Sequence, residues 1–320
     1  MAELVYQKWS GKINEVVIGK EPAVVRVGGE EGLPFLFKEG KIPNPPRIAF
    51  EIWDIPPVDW PQELTRSYEG VLENTLKWAK MCVDQYQAEL ICLRLLGAHP
   101  DFGNRSKEEE SKLVTEVLKN VDVPLIIFGS GDDDKDNEIM SSCSEEARGR
   151  NCLIGEATQD NYRTLTVAAL ADGHNIIAQS PIDINIAKQL NILISDMGMP
   201  AEKIVINPTI GALGYGLEYA YSIMERARLS ALSGDKMVAM PFICLVGQEA
   251  WRAKESKALQ KEFPQWGPEK ERGIIWESAT AVTLLQAGAD ILVMRHPKAV
   301  DCVRKYIKDS YKNKDQRGES

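Results

Sequence analysis

The stretch Arg47–Asp54 reads RIAFEIWD, a mostly apolar run interrupted by acid only at Glu51 and closed by Asp54. A strand buried on both faces has this composition, because a parallel sheet covered by helices leaves neither side to water. Glu51, Ile52, Trp53 and Asp54 also stand where an open doubly wound sheet would carry its Gly-rich turn after the first strand. Similar runs recur at Leu90–Leu96, Pro124–Gly129, Cys152–Ala157, Asn175–Gln179, Lys203–Asn207, Val238–Val246 and Asp290–Arg295, separated by longer amphipathic segments. This alternation predicts an α/β chain whose residues 47–311 close into a (β/α)8 TIM barrel.

Between the strands, Leu64–Gln87 carries Val71, Leu72, Thr75, Trp78, Ala79, Cys82 and Val83 at helical spacing, and Arg163–Ala171 is rich in Leu and Ala. Ser106 with Glu109 forms a capping-box pattern, and Gly288 follows Leu284, Leu285 and Ala287 as a C-cap would. Residues 1–46 differ in kind: Lys12–Ile18, Ala23–Val27 and Pro34–Phe37 alternate with Gly19, Gly28, Gly29 and Gly32, which predicts a short N-terminal β meander that plugs or flanks the barrel. Pro43, Pro45 and Pro46 stiffen the junction. Residues 312–320 are wholly polar and are expected to form a frayed tail.

The 320 residues, 44% hydrophobic, suffice for one large core, and a net charge of -9 gives no reason to seek nucleic acid or an anionic membrane. The first twenty residues lack a secretory pattern and the apolar stretch at Val238–Gly247 is too short for a membrane span, so we expect a cytoplasmic protein. None of the six cysteines forms a C-x-x-C pair, and they are read as reduced core thiols.

A barrel works at the C-terminal ends of its strands, so those ends form the candidate site. They present Glu51 and Asp54, then His99, Gly129–Ser130–Gly131, Glu156, Asn207, Thr209 and Gly211, and finally His296 beside Arg295. Glycines allow close backbone approach by a ligand, and a carboxamide such as Asn207 offers both a donor and an acceptor. A turn-forming Asn-Pro and a solvated helix cap over Asp132, Asp133, Asp134 and Asp136 are the plainer readings. His99 and His296, each followed by proline, fall near Glu51, yet without the spacing of a metal site, and none is assigned. The loop Gly247–Pro268 carries Trp251, Phe263 and Trp266 as an exposed aromatic surface or as rim packing. No nucleophile with a partnered base stands out, so no catalytic residue is assigned.

The segments Trp9–Ile13 (WSGKI), Ala49–Asp54 (AFEIWD), Ile206–Gly216 (INPTIGALGYG) and Gly288–Leu292 (GADIL) resemble the small (delta) subunit of the corrinoid iron-sulfur protein of the acetyl-CoA synthase pathway. That resemblance covers nearly the whole chain, with INPTIGALGYG its most specific part. It implies a heterodimer with a large subunit, a cobamide held between that subunit and this barrel's mouth, and a [4Fe-4S] cluster on the partner chain. It also implies passage of a methyl group from methyltetrahydrofolate, through its methyltransferase, to acetyl-CoA synthase, with a reductive activator as a further partner. The cofactor-facing candidates are then Gly129, Ser130, Gly131, Asn207, Thr209 and Gly211, with His99 and His296 beside them, placed by strand end alone. The barrel also resembles pterin-binding methyltransferases and dihydropteroate synthase, for which Asn207 and either Glu156 or Asp132 would serve. A mouth that binds only protein is the third reading.

Overall fold

The computed structural model describes residues 6–316, with side chains as far as residue 312. Strands β1 (Glu15–Lys20) and β2 (Ala23–Gly28) form an antiparallel hairpin. They are followed by β3 (Arg47–Trp53), β4 (Leu90–Arg94), β5 (Leu125–Phe128), β6 (Leu153–Ala157), β7 (Asn175–Gln179), β8 (Ile204–Asn207), β9 (Phe242–Cys244) and β10 (Ala289–Met294). These eight close into a barrel in the order β10-β3-β4-β5-β6-β7-β8-β9, every pairing parallel. Between and after them run α1 (Gln62–Thr65), α2 (Thr75–Asp84), α3 (Lys107–Asn120), α4 (Asp133–Glu146), α5 (Tyr162–Asp172), α6 (Ile184–Asp196), α7 (Leu217–Leu232), α8 (Val246–Arg252), α9 (Lys254–Lys257), α10 (Glu269–Ala287) and α11 (Pro297–Gln316). The TIM barrel read from the apolar runs is the fold.

Strand side chains alternate, so one set fills the barrel and the other meets the helices. Ile48, Phe50 and Ile52 pack outward with the helix faces, whereas Ala49 shares the interior with Cys92, Ile126, Phe128, Val205, Ile243 and Val293. Val16, Ile18, Val25 and Val27 of the hairpin join that interior cluster, so the N-terminal segment plugs the barrel. Asn151 and Asn175, at the starts of β6 and β7, both donate to the Val17 carbonyl, at 2.7 and 2.9 Å, and fix the plug at the N-terminal end of the strands. The capping box of α3 is present, and Gly288 ends α10 at a φ of 104°.

Several expectations need correction. Pro34–Phe37 is no strand: the chain turns there, with Leu36 N bonded to Leu33 O, and Phe35 packs edge-on against Tyr306 and Tyr311 at 6.0 Å. Leu64–Gln87 is not one helix, because Gly70 adopts a φ of 82° and Asn74 caps a new helix by accepting from Lys77 N. The seventh strand shrinks to Phe242–Cys244, and Val246 already opens α8. The terminal helix continues through residues 312–316, past the point where polar composition suggested fraying, while residues 317–320 lie outside the described part.

Ile18→Ala removes a fully buried side chain from the plug. It should lower unfolding stability by about 2–5 kcal/mol in urea titrations; a loss under about 1 kcal/mol would mean that the hairpin is not part of the barrel core.

Candidate functional site

The last inward positions of the strands carry polar side chains that bond chiefly to one another. Arg295, just past β10, donates through Nε and Nη2 to the two carboxylate oxygens of Glu51 on β3, at 2.9 and 2.7 Å. Arg94 of β4 lies 3.6 Å from the same carboxylate and donates to Gln248 Oε1. Trp53 Nε1 adds a 2.7 Å bond to Glu51, and Trp53 and Trp60 lie 5.2 and 4.9 Å from the Arg295 guanidinium. Burial alone would push Glu51 up, but Arg295 and Arg94 hold its carboxyl below the usual range, so the pair is ionised at neutral pH.

Across the mouth, the β6–β7 register shifts between Ile154 and Ala157, and the Glu156 carboxyl receives the Asn207 amide. Burial raises Glu156, opposed by Arg94 and by that amide. Asn207 Oδ1 accepts from Thr209 N at 3.2 Å, and the Thr209 hydroxyl donates to Ser180 O at 2.6 Å. Thr209 holds a φ of 52°, a conformation that costs a β-branched residue about 1–3 kcal/mol, and the bonds on either side keep it there.

The other candidates divide. Ser130 N and Oγ and Gly131 N all bond the Asp136 carboxylate, at 2.6, 2.7 and 3.1 Å, and a Cβ on Gly129 would lie 2.4 Å from that group. The chain's own acid therefore occupies the amides that were expected to face a ligand. Gly211 is required by a backbone approach, since a Cβ there would meet Tyr215 O at 2.1 Å. His99 Nδ1 accepts from Asp101 N, and His296 is buried, stacked 5.8 Å from Trp251 with Nε2 3.3 Å from Ser67 Oγ. Neither ring bonds Glu51, whose partners are Trp53, Arg94 and Arg295. Burial lowers His296 to about 4, which leaves it neutral at pH 7.

The segment after β9 also differs from the expected loop. Trp251 is buried on α8 and donates to Glu277 at 2.8 Å, while Phe263 and Trp266 stack 4.1 Å apart with Lys254 above them. Glu277, on α10, also accepts from Arg295 N and His296 N and so fixes the end of β10.

Around this closed layer the loops expose apolar side chains: Val58 is 84% exposed and Phe102 55%, with Ile182, Leu213 and Tyr215 also outward, and Tyr219 in the first turn of α7 is 63% exposed. The mouth is thus a neutralised polar floor within an apolar rim.

A family model for the CO dehydrogenase/acetyl-CoA synthase delta subunit matches residues 15–304. The chain belongs to that family. It is 34% identical over 310 residues to the acetyl-CoA decarbonylase/synthase complex subunit delta of Methanocaldococcus jannaschii, covering 93% of this chain and 74% of that one. It is 36% identical over 305 residues to the Methanosarcina mazei subunit delta, covering 92% and 69%. Among solved structures, dihydropteroate synthase of Xanthomonas albilineans aligns with a TM-score of 0.56 at 13% identity over 83% of this chain and 93% of that one. The Thermus thermophilus enzyme gives 0.54 at 14%, over 87% and 98%. At such identity the likeness extends to the barrel architecture alone.

In this delta-family barrel no three His, Cys, Asp or Glu side chains among the described residues converge as metal ligands, and no described helix is long and apolar enough to cross a membrane. Arg94 and Glu277 escaped sequence reasoning, whereas Gln248 was among the strand-end candidates. The available signal for Arg94 was a charged residue at an inward position of an otherwise apolar strand.

Burial raises Glu277 from 4.5 to about 7, against its three hydrogen bonds. A carboxyl whose folded pKa is raised contributes most below its unfolded value, and that contribution is lost as pH rises through the folded value. Relative to Glu277→Gln, the wild-type protein should lose roughly 3 kcal/mol between about pH 5 and 7 in chemical unfolding; parallel pH profiles for the two would contradict it.

Proposed function

We propose that this delta-family barrel is the cobamide-covering half of a corrinoid methyl carrier and performs no bond-making of its own. The carrier would accept a methyl group from methyltetrahydrofolate through its methyltransferase and deliver it to acetyl-CoA synthase. A large subunit would hold the cobamide and the [4Fe-4S] cluster, and a reductive activator would complete the set of partners. The relatives from M. jannaschii and M. mazei are named as subunits of an acetyl-CoA decarbonylase/synthase complex, which supports an obligate partner here as well.

The observation that carries this reading is the self-neutralised mouth. Its two central acids are held by the chain's own donors, Glu51 by the Arg295 guanidinium and Glu156 by the Asn207 amide, so neither stands free to move a substrate proton. A corrin presents a broad apolar ring edged by amide arms, and the residues present suit it. Val58, Phe102 and Ile182 offer apolar contact, and the Thr209 and Ser180 groups offer polar contact at the strand ends. Arg94 Nε, buried without a partner, offers a donor to an amide carbonyl. When bound, the cobalt of the cobamide supplies the methyl-carrying centre; this chain's residues exclude water from it and orient the ring. The family's iron-sulfur cluster finds no ligand set here, since five of the six cysteines are buried singly and Cys302 lies alone on the surface.

One feature favours the pterin reading instead. The Glu156 carboxyl of β6 and the Asn207 amide of β8 meet across the end of the intervening β7, the acid and carboxamide pair that a pterin edge would use. Their mutual bond and the nearby Arg94 leave less for a ligand, so we place this reading second. Calorimetry of the isolated chain with methyltetrahydrofolate separates the two: no heat of binding supports the carrier role, and micromolar binding supports a pterin site.

Val58→Asp with Phe102→Asp changes only exposed rim positions. In reconstitution with a cobamide-loaded large subunit, we expect affinity to fall at least about tenfold, since two buried carboxylates without partners cost well over 1.4 kcal/mol. Unchanged association and methyl transfer would overturn the proposal.

A further inference from the structure

The opposite end of the barrel holds a second buried charge cluster that the proposed function leaves unused. Glu30 on the segment after β2, Arg228 of α7 and Asp290 of β10 meet beside Gly288, in a small cavity lined also by Phe35, Ile42 and Tyr311. Arg228 Nη2 donates to Gly288 O at 2.5 Å and to Asp290 Oδ2, which also accepts from Phe242 N at 2.6 Å. Arg228 Nη1 lies 3.7 Å from Glu30 Oε2. Arg228 Nε and Nη1 and Glu30 Oε2 are buried without hydrogen-bond partners.

Two carboxyls facing one guanidinium leave an uncompensated negative charge if both ionise, a costly state for side chains so largely withdrawn from water. Asp290 already has two strong donors, whereas Glu30 Oε2 has none, so the site's extra proton belongs on Glu30, which shares the cavity with Asp290. We propose that this proton latches the strap formed by residues 29–46 onto the barrel floor, so that the strap loosens as pH rises through the neutral range. The strap is otherwise held by Phe35 against Tyr306 and Tyr311, by Tyr311 Oη donating to Asn44 O at 2.9 Å, and by Asn44 donating to Gly28 O. The charged or titratable groups around Glu30 are Asp290 of β10, Arg228 of α7 and Tyr311 of α11, with Arg47 of β3 acting on Tyr311.

Burial, reinforced by Asp290 and opposed by Arg228, raises Glu30 from 4.5 to about 8. Opening the strap therefore releases a proton at every pH between those values: the latch is strongest in acid, weakens up to about 8 and is constant beyond it. Hydrogen exchange on the full chain, corrected for intrinsic rates, reads this directly. Protection of residues 29–46 should fall by up to about tenfold per pH unit across that window and then level off. Glu30→Gln, which keeps a donor for Asp290 but cannot ionise, should abolish the slope there while leaving the separate profile of the mouth peptides around Glu277 unchanged. A flat wild-type profile in the strap, or a slope that survives Glu30→Gln, overturns the latch; should the variant not fold, the wild-type strap profile decides alone. Because the latch lies at the floor, its failure would leave the reading of the mouth intact.

Discussion

The bidentate pair between Arg295 and Glu51 joins residues 244 positions apart and ties the last strand of the barrel to the first. Removing either partner would strand a buried charge at a cost of about 3–5 kcal/mol, so the pair is a strict condition on how the cylinder closes. Glu277 holds the Arg295 backbone from outside, while Trp53 and Trp60 lie close to the guanidinium. Arg94 compensates further in the same polar layer at the mouth. What the pair does for closure it also does for function: it removes a carboxylate and a guanidinium from the set of groups that could act on a substrate.

The two ends of the barrel answer different needs. At the hairpin end, Val16, Ile18, Val25 and Val27 insert among the strand side chains and join the interior core. At the mouth, the side chains stop at a polar layer and the loops beyond it carry exposed apolar groups such as Val58 and Phe102. Isolated exposed apolar residues are ordinary, but several on the loops of one barrel end suit a surface completed by another molecule.

Much of this architecture was legible in the sequence, because parallel strands buried on both faces leave an apolar run that periodicity detects, as at Arg47–Trp53 and Asn175–Gln179. The α3 capping box and the Gly288 C-cap were legible for the same local reason. Pro34–Phe37 misled because its apolar residues serve contacts with Tyr306 and Tyr311 in a helix far along the chain. Within the site, Asn207 and Thr209 were placed by strand end, but their bonds to Glu156 and Ser180 were not visible. Gly129–Ser130–Gly131 read as open to a ligand because nothing local says that Asp136 folds back onto its amides. Pairings between distant strands depend on register, and register emerges only once the barrel has closed.

The central claim is that the C-terminal end of this barrel faces a cobamide carried by a second chain. A structure of the complete complex tests it most directly. The account predicts corrin atoms in van der Waals contact, about 4 Å or less, with the Thr209 and Phe102 loops; a corrin seated against the hairpin floor, or one that touches no part of this chain, would contradict it.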